Sequence, residues 1–141
     1  MQRNLLNISK RVNLALHALG YIGAYGRNTS AKRMAKDLPV SETYLSKVLQ
    51  QLVKAGYIRS KRGAGGGHVL AKDPQNISAY EIVLLMEGPF SPDSCLFAHS
   101  YCSEKDGVFH ETANKVRKLM ERSLRKITVA RIMKNLQGRI G

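Results

Sequence analysis

Three groups of residues in this chain have the types and spacing to do chemistry. In Cys95-Leu96-Phe97-Ala98-His99-Ser100-Tyr101-Cys102 two thiols bracket an imidazole, and a second imidazole, His110, follows. Thiols of this kind either ligate a metal or oxidise, and the thiolate form does both. In the second group, Arg59, Lys61 and Arg62 precede the run Gly63-Ala64-Gly65-Gly66-Gly67. Glycine reaches positive φ and lets the backbone approach another surface closely, so the run joins phosphate-binding charge to a thin loop. The third group is Ser41, Thr43, Tyr44 and Lys47, hydroxyls and one cation close together at a helix start. These side chains hydrogen-bond to base edges or phosphates.

Other chemistry is excluded. The glycine run is not followed by a Lys-Ser/Thr pair and leads into strand-like His68-Val69-Leu70, not a helix N-terminus, so it is no nucleotide-phosphate loop. A flexible linker is the other option, but the apolar strand residues on both sides favour a hairpin. Few acids, no nucleophile and base at meaningful spacing, and no cofactor motif argue against an enzyme.

The charge points to a polyanion. The 141 residues carry 23 Lys and Arg against 10 Asp and Glu, a formal +13. Residues 1–72 hold 13 of those bases with only Asp37 and Glu42, whereas residues 73–141 are nearly balanced. A basic module joined to a neutral one is the pattern of a nucleic-acid-binding unit fused to an interaction unit. A uniformly basic surface of the ribosomal kind is the competing reading. The three Phe and six Tyr are scattered and Trp is absent, so no aromatic platform for RNA is evident. The start Met1-Gln2-Arg3-Asn4 leads into an amphipathic segment without an export-type apolar core, and the apolar run Ile82 to Met86 is too short for a bilayer. A cytoplasmic protein with no membrane partner is expected, and Cys95 and Cys102 are poor candidates there for a structural disulfide.

The elements that must position these groups follow from periodicity and punctuation. Apolar Ile8, Val12, Ala15, Leu16, Leu19 and Ile22 predict a core-packing helix that ends between Gly20 and Gly26. Ser30 caps a short helix, Ala31 to Asp37, and Pro39 forces a turn. Ser41 then caps a helix from Glu42 to Ala55, with Leu45, Val48, Leu49 and Leu52 inward and Glu42, Thr43, Ser46, Lys47 and Gln50 outward. On helix pattern alone a plain helical hairpin and a helix-turn-helix fit equally well. The basic strand from Tyr57, the glycine turn and the return through Leu70 make a β wing, which decides for the second. Ser78 and Glu81 form a capping box that starts a helix to Glu87, and Gly88-Pro89 ends it. From Asp106 an uninterrupted helix toward Leu136 is expected, striped by Phe109, Ala113, Val116, Met120, Leu124, Ile127 and Ala130. At roughly 30 residues it would be about 45 Å long, more than a small core covers, so a symmetric homodimer through it is expected. The alternative is a helix folded back on its own domain.

The expected architecture is mainly α: a three-helix core with a two-stranded wing and a long C-terminal dimerisation helix. Its parts are a winged helix-turn-helix domain at 1–88, a cysteine-containing sensor loop at 89–105 and a dimerisation helix with tail at 106–141.

The segment Tyr44-Leu45-Ser46-Lys47-Val48-Leu49-Gln50-Gln51-Leu52-Val53-Lys54-Ala55-Gly56, followed by Ser60-Lys61-Arg62-Gly63-Ala64-Gly65-Gly66-Gly67, resembles the Rrf-two family of bacterial transcription regulators, which includes IscR-like, NsrR-like and CymR-like proteins. The resemblance spans nearly the whole chain. It implies a homodimer that binds a promoter dyad in double-stranded DNA, here expected to act as a repressor. Ser41, Thr43, Tyr44 and Lys47 would face the major groove, and Arg62 with Gly63, Gly65 and Gly66 would enter the minor groove beside Arg59 and Lys61. Ala64 stands where the family often has proline and His68 where it often has an aromatic, which predicts a looser wing.

Cluster-binding members carry three cysteines in the loop where this chain has Cys95 and Cys102. A cluster accepts a non-cysteine ligand, so His99, His110 or His17 from a partner's first helix are weaker candidates to complete a site, preferably of the two-iron two-sulfur type. A cluster-free thiol switch at the same cysteines, and control by a small molecule or protein partner, remain alternatives.

Overall fold

The computed structural model describes residues 8–26, 29–90 and 108–140, without the side chains of 139 and 140. Its elements run α1 (Lys10–Tyr25), α2 (Ala31–Asp37), α3 (Glu42–Lys54), β1 (Ile58–Lys61), β2 (Gly67–Leu70), a 3-10 turn (Pro74–Asn76), α4 (Ala79–Glu87), α5 (His110–Lys126) and α6 (Val129–Ile140).

Hydroxyl caps set the helix starts. Ser9, Ser30, Ser41 and Ser78 accept from the backbone N–H groups of Val12, Arg33, Tyr44 and Glu81, and Glu81 returns the bond to the Ser78 N–H. Each cap satisfies a first-turn donor that has no partner inside its helix. Of the four, the Ser9 cap is the one the sequence pattern did not single out. Gly26 ends α1 at φ 66°, in the left-handed region that favours glycine.

The core is the meeting place of α1, α3 and α4. Val12, Ala15, Leu19 and Ile22 meet Leu45, Leu49 and Leu52 of α3, Ile77, and Ile82 and Val83 of α4, with Met34 and Ile58 closing the sides. Each large apolar side chain taken fully out of water contributes about 1.5–3 kcal/mol before entropy is counted.

The wing is antiparallel, with Ile58 opposite Leu70, Arg59 opposite Val69, Ser60 opposite His68 and Lys61 opposite Gly67. Gly63 and Gly65 take φ 97° and 74° at its tip. A Cβ on Gly66 would lie 2.3 Å from the Lys61 carbonyl oxygen, so only glycine fits. His68 fastens the wing to the body. Its backbone N–H donates to the Thr29 carbonyl at 2.9 Å, and its ring Nδ1 lies 3.2 Å from the same oxygen.

The expected uninterrupted C-terminal helix is corrected: the chain breaks at Ile127 and Thr128 into α5 and α6. The Ile127 carbonyl accepts from Ala79 N–H at 2.7 Å, and Val129 N–H donates to the Ile77 carbonyl at 2.9 Å. Thr128 Oγ1 takes the Arg131 N–H at 3.4 Å, a cap for the new helix. Three consecutive β-branched residues, Ile127-Thr128-Val129, are weak helix formers, which eases the break. What compensates for it is packing of α6 along α1. A Cβ on Gly20 would lie 2.7 Å from Ile132 Cγ2, and one on Gly23 would lie 2.4 Å from Met133 Sδ. These two glycines make the groove in which α6 sits. The fold-back alternative therefore holds for 129–140, and the dimer stripe that was expected to run on to Ala130 stops at α5.

Candidate nucleic-acid interface

The outer face of α3 and the wing lie side by side. Ser41, Thr43, Tyr44, Lys47, Gln50 and Lys54 are exposed along α3, as are Arg59, Lys61, Arg62, Gly63 and Gly65 on the wing, with Gly66 half-buried. Between them runs a crevice of about 320 Å³ lined by Ser46, Leu49, Gln50, Lys54, Ser60 and His68, among others. Sequence reasoning did not single out Ser46, Gln50 and Lys54 as a row. Their spacing of four, which puts them on one side of the helix, was the available signal.

The orientation of α3 is fixed from behind. Four inward residues, Leu45, Val48, Leu49 and Leu52, are at most 2% exposed. Arg11 Nε of α1 donates to Gln51 Oε1 at 3.2 Å. The Tyr21 hydroxyl donates to Asp37 Oδ2, which ties α1 to the end of α2 just before the turn. Burial, reinforced by the Asp37 carboxylate, pushes the Tyr21 phenol above its ordinary value. At the base of the wing Tyr57 donates to Glu81 at 3.4 Å, and the Lys72 ammonium lies 4.2 Å from the centre of its ring. Ser41 serves twice, since its oxygen caps α3 at 3.1 Å from Tyr44 N while its own proton stays available to another acceptor.

Positive charge continues past this face. Exposed Lys32, Arg33 and Lys36 on α2 flank it, with no acid among them before Asp37. The near-neutral balance of the second half proves to be an average. Residues 73–107 hold six acids and one base, and residues 108–141 hold nine bases and two acids.

The proposed metal ligands are only partly within view. Cys95, His99 and Cys102 lie outside the described residues. His110 begins α5, where its Nε2 lies 3.0 Å from the Asn114 side-chain amide nitrogen, so the ring nitrogen takes the acceptor role toward that amide. His17 Nδ1 lies 2.8 Å from the Asn13 carbonyl oxygen of its own helix. Among the described residues no group of three or more His, Cys, Asp or Glu is placed to hold a metal ion. Nor is any described helix long and apolar enough to cross a membrane.

A compact helical core, a polar helix held outward on it and a glycine-tipped cationic wing beside that helix define a winged helix-turn-helix protein of the DNA-binding regulator class. Residues 8–135 match the family described as Rrf2, iron-dependent transcriptional regulator, and the chain belongs to that family. It is 44% identical to the transcriptional regulator CymR of Bacillus subtilis over 64 residues, which are 45% of this chain and 46% of that one. It is 34% identical to the regulator NsrR of Geobacillus kaustophilus over 96 residues, 67% of this chain and 65% of that one. Among solved structures, CymR, the global cysteine regulator of B. subtilis, superposes with a TM-score of 0.76 at 28% identity, covering 92% of this chain and 98% of that one. IscR of T. potens gives 0.71 at 27% identity, covering 96% and 92%. The relatives and the fold are those of transcription regulators, not enzymes.

Proposed function

We propose that the protein acts in the cytoplasm as a homodimeric repressor that binds a dyad in promoter DNA. Residues 1–88 read the DNA, 89–105 carry the sensor and 106–126 join two copies. The reading is carried by one observation: α3 and the cationic wing expose their polar faces on either side of one crevice. In the proposed complex α3 enters the major groove. Lys47 donates to a guanine edge or a phosphate there, and Ser41, Thr43 and Tyr44 bond to base edges or backbone. The wing reaches the adjacent minor groove with Arg62, where a guanidinium reads groove width more than base identity. Arg59 and Lys61 take phosphates beside it, while Gly63, Gly65 and Gly66 keep the tip thin enough to approach. Ser46, Gln50 and Lys54 line the side of α3 along which a backbone strand would pass.

A mobility shift with a duplex carrying the selected site tests this. Arg62→Ala is expected to weaken specific binding by about tenfold and lower the salt dependence by roughly one phosphate contact. Unchanged affinity at moderate salt would sink the wing assignment, and equal preference for structured RNA would sink the duplex reading.

The signal is proposed to act through Cys95 and Cys102, whose thiolates are the donors in this chain best suited to an iron–sulfur cluster, with His99 and His110 as weaker candidates. A bound cluster would supply a redox- or nitric-oxide-sensitive group between the DNA-reading and dimer-forming parts. An anaerobic preparation without iron, sulfide or visible absorption after reconstitution would leave the thiol switch, or a cluster-free regulator answering to a small molecule or protein, in its place.

A further inference from the structure

The face of α5 next to its apolar stripe carries a ladder of polar side chains. The Asn114 amide nitrogen meets His110 Nε2 at 3.0 Å, and Arg117 Nη2 donates to Asn114 Oδ1 at 2.9 Å. Arg117 Nη1 lies 3.8 Å from Glu121 Oε1, and both side chains are only 25% exposed. That separation is long for a charge-assisted hydrogen bond, so neither group is used up within its own chain. Arg117 Nε is withdrawn from solvent and has no acceptor. The chain itself already covers that N–H, so what Arg117 and Glu121 can still offer a second molecule is the outer end of the guanidinium and the carboxylate.

We infer that Arg117 and Glu121 are the register key of the dimer, each pairing with the other residue on a second copy of this chain. The inference rests on the reading of α5 as the dimer helix. Helix α5 carries six Lys and Arg against two Glu, so two copies repel unless the contact face supplies opposite charge. Glu111 is spent on Lys115 at 2.9 Å on the exposed face. Glu121 is therefore the acid of α5 left for the seam. An isologous pair requires that if residue i meets residue j, then j meets i. Antiparallel helices related by a two-fold axis level with residue 119 bring Arg117 against the partner's Glu121 and Glu121 against the partner's Arg117. Val116 and Met120 are half-buried on the neighbouring stripe. Flanking ion pairs of this kind choose partner and orientation for an apolar seam.

The test is analytical ultracentrifugation of the full chain, wild type and variants. Arg117→Glu and Glu121→Arg should each raise the dimer dissociation constant by about tenfold or more. Mixed together, the two variants should form a heterodimer of near wild-type affinity, since both interchain pairs are then complementary while both intrachain pairs remain like-charged. Loss of dimer without rescue on mixing overturns the inference and confines the pair to one chain. Variants that dimerise like the wild type overturn it too. A monomeric wild type would instead remove the dimer reading on which it rests. If circular dichroism shows that a charge reversal unfolds the chain, Arg117→Gln and Glu121→Gln with their double variant serve. An ion pair confined to one chain is present in monomer and dimer alike and cancels, so non-additive effects on the dissociation constant support the key and additive ones overturn it.

Discussion

Helices α3 and α5 are both amphipathic, and they end in opposite conditions. Four side chains of α3 are at most 2% exposed, whereas α5, longer at 17 residues against 13, has no buried residue. On the α5 stripe Leu124 reaches the core and Arg125 lies over the Tyr80 ring, 4.1 Å from its centre, so the helix is fastened at its C-terminal turn. Val116 and Met120, on the same stripe, do not join that core. An amphipathic helix whose apolar face is finished by its own chain has its polar face free to meet a ligand. One whose apolar face is not finished by the described residues of its own chain leaves that face for the contact proposed above.

The largest expected effect separates the two helices directly. Leu52→Ala should destabilise the chain by about 2–5 kcal/mol in urea unfolding, because a cavity opens among residues that cannot collapse around it. Met120→Ala should cost far less in a dilute monomer and show its effect in how stability depends on protein concentration. Equal losses at all concentrations would break the comparison. Next, Gly20→Val should cost about 1–3 kcal/mol, since the added carbons meet Ile132 in the α1–α6 groove. DNA affinity of the folded fraction should hold, and a large loss there would mean that α6 also helps to aim α3. Ser41→Ala should remove about 1 kcal/mol of stability by uncapping α3 and should weaken DNA binding as well. A change in stability alone would limit Ser41 to its cap.

The smallest effect is expected at Tyr21. Tyr21→Phe should cost about 1 kcal/mol at neutral pH through the lost bond to Asp37. Folding raises the phenol above its unfolded value, so its contribution is complete below that value, about 10, and fades as pH climbs through the folded one. The wild type should therefore lose its advantage over the variant in alkaline unfolding curves. A constant difference up to pH 11 would contradict the assigned contact.

The helix-turn-helix and the wing were legible because their signals are local. Ser30, Ser41 and Ser78 cap helices wherever they precede a helical run, and a proline or a glycine run acts within a few residues. The break at Ile127 was not legible, since Leu124, Ile127 and Ala130 continue the helical period through it. The tie between Thr29 and His68 joins residues 39 apart that share no sequence signal. Averaging charge over the whole second half likewise hid a basic helix pair behind the acidic residues that precede it.

The sequence by itself determined the bounds of α2 and α4 and the start of α3, which face of α3 is polar, and that the wing is cationic and thin. Those follow from hydrogen bonds and dihedral limits within a few residues of each position. Only the tertiary structure decided that the C-terminal helix breaks where Ile77 and Ala79 pull on it, that Gly20 and Gly23 give α6 its seat, and that Arg117 keeps an N–H without an acceptor. Each of those depends on which distant surfaces meet, and period alone does not say what a helix will find beside it.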